Sequence, residues 1–198
     1  MNIALFASGN GSNVQAIIDA VENGRLDAVI TCVVCDRPGA YVTERAKRAG
    51  LPLLVSSPKE FAKRKDWEHH IIEFLQMHDT EWIVLAGFMR ILKEPLLRAF
   101  PNRIINIHPS FLPAFPGKNG IQDAYEAGGS ETGVSVFFVD EGIDTGSIIA
   151  QERIPVNPDW TLEELEAAVH KVEHRLYPAV IQQLSEQHGT NRKGEQHD

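Results

Sequence analysis

Between Asn2 and His108 the chain repeats one pattern: a short apolar run, a turn of small or polar residues, then apolar residues at helical spacing. Asn2–Ala7, Ala28–Cys35, Pro52–Val55, Trp82–Ala86 and Ile104–His108 read as strands. Val14, Ile17, Ile18 and Val21 form the first helical stripe, which Gly24 stops. Tyr41–Ala49 forms the second and ends at Gly50. Phe61, Trp67, Ile71, Ile72 and Leu75 form the third; Ser57 and Glu60 stand at capping-box spacing, and Pro58 suits a first helical position. Ile91–Phe100 forms the fourth, with Pro95 marking a start or a kink. Strands that alternate with helices build a parallel sheet covered on both faces.

The pattern changes after Pro109. A loop rich in proline and glycine runs to Gly120, and a short helix, Ile121–Ala127, is closed by Gly128–Gly129. Two further strands, Thr132–Val139 and Ser147–Val156, flank Asp140–Gly146, which predicts a long antiparallel hairpin. Thr161 and Glu164 make a second capping box before a last helix carrying Leu162, Leu165, Val169, Val172 and Leu176, perturbed by Pro178. From Ser185 onward apolar residues almost vanish, which predicts a polar, solvated and flexible tail over 185–198 and a single domain over 1–184. The expected fold is α/β: a doubly wound, mostly parallel twisted sheet, Rossmann-like, with a C-terminal antiparallel hairpin and a final helix.

Bulk properties narrow the function. A length of 198 residues suits one core, on a prior of about 150 residues per domain. The net charge of -8 argues against nucleic acid as partner, which needs a concentrated basic face. No apolar stretch approaches the ~20 residues that span a bilayer, so no membrane association is expected. The first strand follows Met1 with no basic leader, and a cytoplasmic location is expected. Cys32 and Cys35 have the spacing of a redox or zinc pair, but an odd separation within one strand sends them to opposite faces. No second pair completes a zinc site, so both read as buried structural thiols.

In open α/β sheets ligands bind at the carboxyl ends of the strands. Three segments fall there. Gly9–Asn10–Gly11–Ser12–Asn13 is a glycine turn opening a helix, where backbone N–H groups and the helix dipole favour an anion. Ser12 and Asn13 add side-chain donors, and either is also a helix cap. Position 14 is valine where a dinucleotide turn wants a third glycine, although Asp36 stands where a ribose-binding acid would. A phosphate monoester is therefore favoured over a dinucleotide. Gly87–Phe88–Met89–Arg90 is the second segment. In the third, Asn106 and His108 point the same way at a strand end that Pro109 terminates. An amide and an imidazolium aimed at one point stabilise a developing oxyanion. A carboxylate within ~4–6 Å would favour the imidazolium. Asp144, in a glycine-rich loop, is the candidate, with Asp140, Asp123 and Glu141 competing. No nucleophile elbow and no histidine–carboxylate ligand spacing is present, which disfavours covalent and metal mechanisms.

Five ordered motifs carry a family resemblance: Ser8–Gly9–Asn10–Gly11–Ser12–Asn13, Leu85–Ala86–Gly87–Phe88–Met89–Arg90, Asn106–Ile107–His108–Pro109–Ser110, Asp140–Glu141–Gly142–Ile143–Asp144–Thr145–Gly146 and Glu173–His174–Arg175–Leu176–Tyr177–Pro178. Together they resemble the folate-dependent phosphoribosylglycinamide formyltransferases, from residue 1 to about residue 184. Phe111 departs from the leucine usual there, and Lys65–Asp66 follows Arg64 where a glutamate is more familiar. The resemblance implies transfer of a formyl group from the cosubstrate 10-formyltetrahydrofolate to the amine of glycinamide ribonucleotide, in purine biosynthesis, with no metal. It implies that Asn106, His108 and Asp144 are catalytic. Gly11, Ser12, Asn13, Gly87 and Glu173 would bind the ribonucleotide. Arg64, Met89, Arg90, Ile91, Leu92, Asn106, Asp140 and Asp144 would bind the folate. A related formyltransferase with another acceptor, or a formyltetrahydrofolate hydrolase, is the alternative. Partners are small molecules, and the chain is expected as a monomer or homodimer.

Overall fold

A computed structural model describes residues 1–194, with side chains through residue 189. Seven strands form one sheet: β1 (Asn2–Ala7), β2 (Val29–Cys35), β3 (Leu53–Val55), β4 (Trp82–Leu85), β5 (Ile104–His108), β6 (Glu131–Phe138) and β7 (Ile148–Pro155). Their order is β3-β2-β1-β4-β5-β6-β7. β1 to β5 pair in parallel, while β6 is antiparallel to both β5 and β7. The chain winds outward from β1 in one direction, then returns to β4 on its other side. That reversal opens a crevice at the carboxyl ends of β1 and β4. The α/β reading, with a parallel body and an antiparallel end, is the architecture found.

Among the described residues six α-helices cover the sheet: α1 (Ser12–Glu22), α2 (Val42–Arg48), α3 (Arg64–Met77), α4 (Glu94–Ala99), α5 (Gly120–Glu126) and α6 (Leu162–Gly194). Alternation along the strands sorts their side chains into two cores. Ile3, Leu5, Val33, Val84 and Ile105 pack with α1 and α6 on one face. Ala4, Phe6, Val34, Ile83 and Ile104 pack with α3 and α4 on the other. Cys35 joins the first core and Cys32 the second, and both are free. Burial pushes both thiols up, which suppresses the thiolate and leaves them inert.

Three local expectations need correction. The Ser57 capping signal does not start a helix. Ser57 Oγ accepts from Lys59 N at 3.3 Å, but only a single 3-10 turn, Pro58–Glu60, follows. Phe61 and Lys63 are extended, and α3 begins at Arg64. The buried Trp67 indole donates to Ser56 O at 3.0 Å, tying the helix back across that interruption. Second, Ile91 stays in a loop, and α4 starts at Glu94 with Pro95 in its first turn, where a missing N–H costs nothing. Third, the last helix does not end where the apolar residues stop, because α6 continues to Gly194. Ser185 Oγ donates to Asp27 O at 2.6 Å, and the His188 ring stands edge-on to Trp82 and 3.6 Å from Glu81. Polar side chains here make tertiary contacts that hydrophobic patterning does not register. Residues 195–198 lie outside the described residues. The Thr161–Glu164 box forms as read, with Thr161 N donating to Glu164 at 2.8 Å and Glu164 N to Thr161 Oγ1 at 3.3 Å.

α6 also fixes the strand ends. Tyr177 is fully buried, and its hydroxyl donates to Leu85 O at 2.9 Å with Ile105 O at 3.2 Å. One phenol thus bridges the last residue of β4 and the second residue of β5. Burial pushes that hydroxyl well above the ordinary tyrosine range, so it remains a donor. Tyr177→Phe leaves two buried carbonyls short of this donor and should lower unfolding free energy by about 1–3 kcal/mol in urea titration. An unchanged midpoint would show that the hydroxyl contributes nothing.

Candidate active site

A cleft of about 500 Å³ opens at the carboxyl ends of β1, β4 and β5. Its walls come from the glycine turn after β1, the Gly87–Leu92 segment after β4, Asn106 and His108 of β5, the Asp140–Asp144 loop, and His170 and Glu173 of α6. All the segments singled out in the sequence meet there except Arg64.

The glycine turn owes its shape to one residue. Gly11 has φ +76°, and a Cβ there would lie 2.5 Å from Val42 Cγ2. Gly11 caps α1 through its backbone, so neither Ser12 nor Asn13 serves as a side-chain cap. No acid stands in the first turn, which leaves the positive end of the helix unmatched. Asn13 is buried, and its Oδ1 has no partner. Arg45 braces the turn from outside by donating to Asn10 O and Asn10 Oδ1, both at 2.8 Å, and to Gln15 at 3.2 Å. A second brace comes from Ser8, which sequence reasoning passed over. Its N–H donates to Gly87 O at 3.0 Å and its Oγ accepts from Met89 N at 2.8 Å.

Asp36 is engaged elsewhere. It is buried, and Arg90 Nε donates to it at 2.6 Å. A carboxylate committed to a guanidinium is not free for a ribose, which weakens the dinucleotide reading further. Arg64 does not line the cleft. It donates to Ile91 O at 2.6 Å and to Glu68 at 3.1 Å, and so reaches the wall through the backbone.

His108 is 5% exposed. Its Nε2 lies 2.7 Å from Phe115 O, which only a protonated Nε2 can satisfy. Its Nδ1 then faces Asp144 Oδ2 at 3.7 Å, an ion-pair distance rather than a hydrogen bond. Of the competing carboxylates, Asp144 is the one that stands against His108. Asp140 is exposed and accepts from Gly142 N and Thr145 Oγ1, at 2.9 and 2.7 Å, while Asp123 and Glu141 are exposed. Asp144 is held at φ +54°, and its Oδ2 also accepts from Gly117 N at 2.9 Å. Gly120 sits against the imidazole, where a Cβ would approach Nε2 to 3.0 Å.

On α6, Glu173 is buried and its Oε2 lies 2.7 Å from His170 Nδ1. His170 was not singled out by sequence, although a spacing of three residues puts it on Glu173's helical face. The hydrogen bond to Glu173 raises the His170 value above that of an ordinary histidine, against an opposing effect of burial. Burial holds His174, stacked on His170 at 6.1 Å, below the ordinary value. Among the described residues no three His, Cys, Asp or Glu side chains gather as a metal site. No described helix is long and apolar enough to cross a membrane.

Residues 1–181 match the family model described as formyl transferase. A phosphoribosylglycinamide formyltransferase of Bacillus subtilis is 46% identical over 192 residues, covering 97% of each chain. The protein of the same name from Haemophilus influenzae is 41% identical over 184 residues, or 93% of this chain and 87% of its own. The crystal structure of glycinamide ribonucleotide transformylase 1 from Geobacillus kaustophilus superposes with a TM-score of 0.90 at 51% identity, covering 92% of this chain and 97% of that one. The chain belongs to the formyl transferase family, and its chemistry is that of a formyltransferase.

The raised His170 value has a definite sign. The His170–Glu173 pair contributes stability fully below the pKa of an unfolded histidine and loses it as pH rises through the folded value. In an NMR titration His170 should lose its proton at higher pH than a peptide histidine, and Glu173→Gln should bring the midpoint down. A midpoint unmoved by that substitution would break the pairing.

Proposed function

We propose that this chain transfers the formyl group of 10-formyltetrahydrofolate to the amine of glycinamide ribonucleotide, a step of purine biosynthesis, by direct attack of the amine on the formyl carbon. The observation that carries the reading is the approach of Asp144 to His108 beside Asn106, in a cleft whose far wall is the N-terminal end of α1. Relatives named for this activity, similar along nearly the whole chain, support it.

The ribonucleotide phosphate lies on Gly11, Ser12 and Asn13, where backbone donors and the helix dipole receive it. Glu173 takes the ribose hydroxyls, and Gly87 leaves room beside them. The folate lies along Met89–Leu92, with the Asp140–Asp144 loop around its ring. Arg64 contributes by holding Ile91. No metal enters the reaction. The substrates are small molecules, neither nucleic acid nor membrane; the enzyme works in the cytoplasm as a monomer or homodimer, with residues 1–184 as its catalytic domain.

The neutral amine attacks, a C–N bond forms, and the formyl oxygen becomes an oxyanion. Asn106 and imidazolium His108 bind that oxygen. The Nε2–H that now serves Phe115 O is the donor the oxyanion takes over, so one acceptor is exchanged for another. Asp144 faces the opposite nitrogen and balances the imidazolium charge. A proton leaves the attacking nitrogen, the folate nitrogen receives one, and the C–N bond to folate breaks. His108 or a water carries it.

Removing one oxyanion donor costs ~10²–10³ in rate, and removing a general acid ~10²–10⁴. Asn106→Ala and His108→Ala should each lose at least about two orders of magnitude in turnover with folding intact. Near-normal turnover in either variant would reject its catalytic role. For the reaction itself, the protein is mixed with 10-formyltetrahydrofolate and glycinamide ribonucleotide, and release of tetrahydrofolate is followed. Release only with a different amine, or with water alone, would reject the acceptor and support a related formyltransferase or a hydrolase.

A further inference from the structure

Glu68 is a fully buried carboxylate on α3 that the chemistry above does not use. A buried charge is costly unless it is matched. Here it is matched from two directions. Arg64 Nε donates to Oε1 at 3.1 Å. The backbone N–H of Lys93 lies 3.1 Å from Oε1 and 3.3 Å from Oε2. Arg64 then reaches onward, with Nη2 donating to Ile91 O at 2.6 Å. Its guanidinium lies 4.3 Å over the Trp67 ring, and that ring stacks parallel to Phe88 with centroids 6.5 Å apart.

One carboxylate and its cation therefore grip a carbonyl and an N–H two residues apart. Both belong to the segment whose residues Met89 to Leu92 line the cleft. The same segment is held at its other end by Ser8 on Met89 N and by Asp36 on Arg90. A loop fixed at both ends presents a rigid wall, and a rigid wall spares a ligand the cost of ordering it.

We propose that Glu68 is a positioning residue for the cosubstrate: through Arg64 and Lys93 it sets the shape of the Met89–Leu92 wall and thereby the affinity for folate, touching neither substrate. This deepens the proposed function and rests on its placement of the folate against that wall. The competing account is a plain ion pair joining α3 to the start of α4. On that account its loss lowers stability and leaves the folded enzyme's constants alone.

The test compares Glu68→Ala and Glu68→Gln with the unaltered protein. Glutamine keeps the volume and one acceptor for Lys93, but loses the charge that holds Arg64. Tetrahydrofolate binding is measured by tryptophan fluorescence, and the formyl transfer assay supplies kcat and both KM values. With Ala, the folate Kd and the KM for 10-formyltetrahydrofolate should rise about tenfold, as expected for loss of a charge-assisted bond. With Gln the rise should be smaller. The KM for glycinamide ribonucleotide and kcat at saturation should stay within about twofold. Folate constants equal to those of the unaltered protein, or a uniform fall in activity that follows the folded fraction, would overturn the inference. If the alanine variant does not fold, the glutamine variant carries the comparison. If the unaltered protein itself binds no tetrahydrofolate, the folate reading falls first and the inference with it. If it binds and both variants bind equally well, only the inference falls.

Discussion

The cleft depends on a buried serine hydroxyl. Ser8 directly follows β1, and its hydroxyl accepts from Met89 N while its own N–H donates to Gly87 O. The turn after the first strand and the turn after the fourth are adjacent only because the sheet order places β4 beside β1. Ser8 converts that adjacency into a fixed spacing between the glycine turn and the wall of Met89 to Leu92. Tyr177 ties β4 to β5 through Leu85 O and Ile105 O. Ser8 lines the cleft and Tyr177 stands behind it, and each holds a pair of neighbouring segments in place.

Electrostatics in this protein is local. The chain carries a net charge of -8, and the proposed ligands are themselves anionic. The positive features at the cleft are a helix end without an acid and a guanidinium paired to Asp36. Buried or partly buried charges at short range outweigh distant surface charge, which solvent and salt screen. The acidic surface thus coexists with a cleft whose local features suit the phosphate and the oxyanion of the proposed reaction.

The alternation of strands and helices made the parallel body legible, and odd spacing correctly separated Cys32 from Cys35 onto two cores. Period-two geometry placed Asn106 and His108 together. The choice of Asp144 over its competitors could not be read from composition, because it depends on how the Asp140–Gly146 loop folds back onto β5. Ser57 misled because a capping box is a local signal, while the start of α3 is fixed by Trp67 reaching back to Ser56 O and by Arg64 and Glu68 holding Ile91 O and Lys93 N of a distant segment. The polar run after Ser185 misled for a related reason. Its contacts are hydrogen bonds and ring edges rather than apolar burial. Arg64 was brought to the cleft by resemblance, and the structure puts a backbone carbonyl between it and the cavity.

Asp144 sits at φ +54°. A left-handed backbone strains most side chains, with glycine, asparagine and aspartate the residues that adopt it most readily. Of these three only aspartate carries a charge. Glutamate, one methylene longer, would face both a conformational penalty and a displaced carboxylate. The backbone at this point acts as a filter on residue identity, applied before any demand of catalysis. Conformation favours three residues, the proposed pairing with His108 wants a carboxylate, and aspartate is the one residue in both sets, so a change at this position loses one or the other.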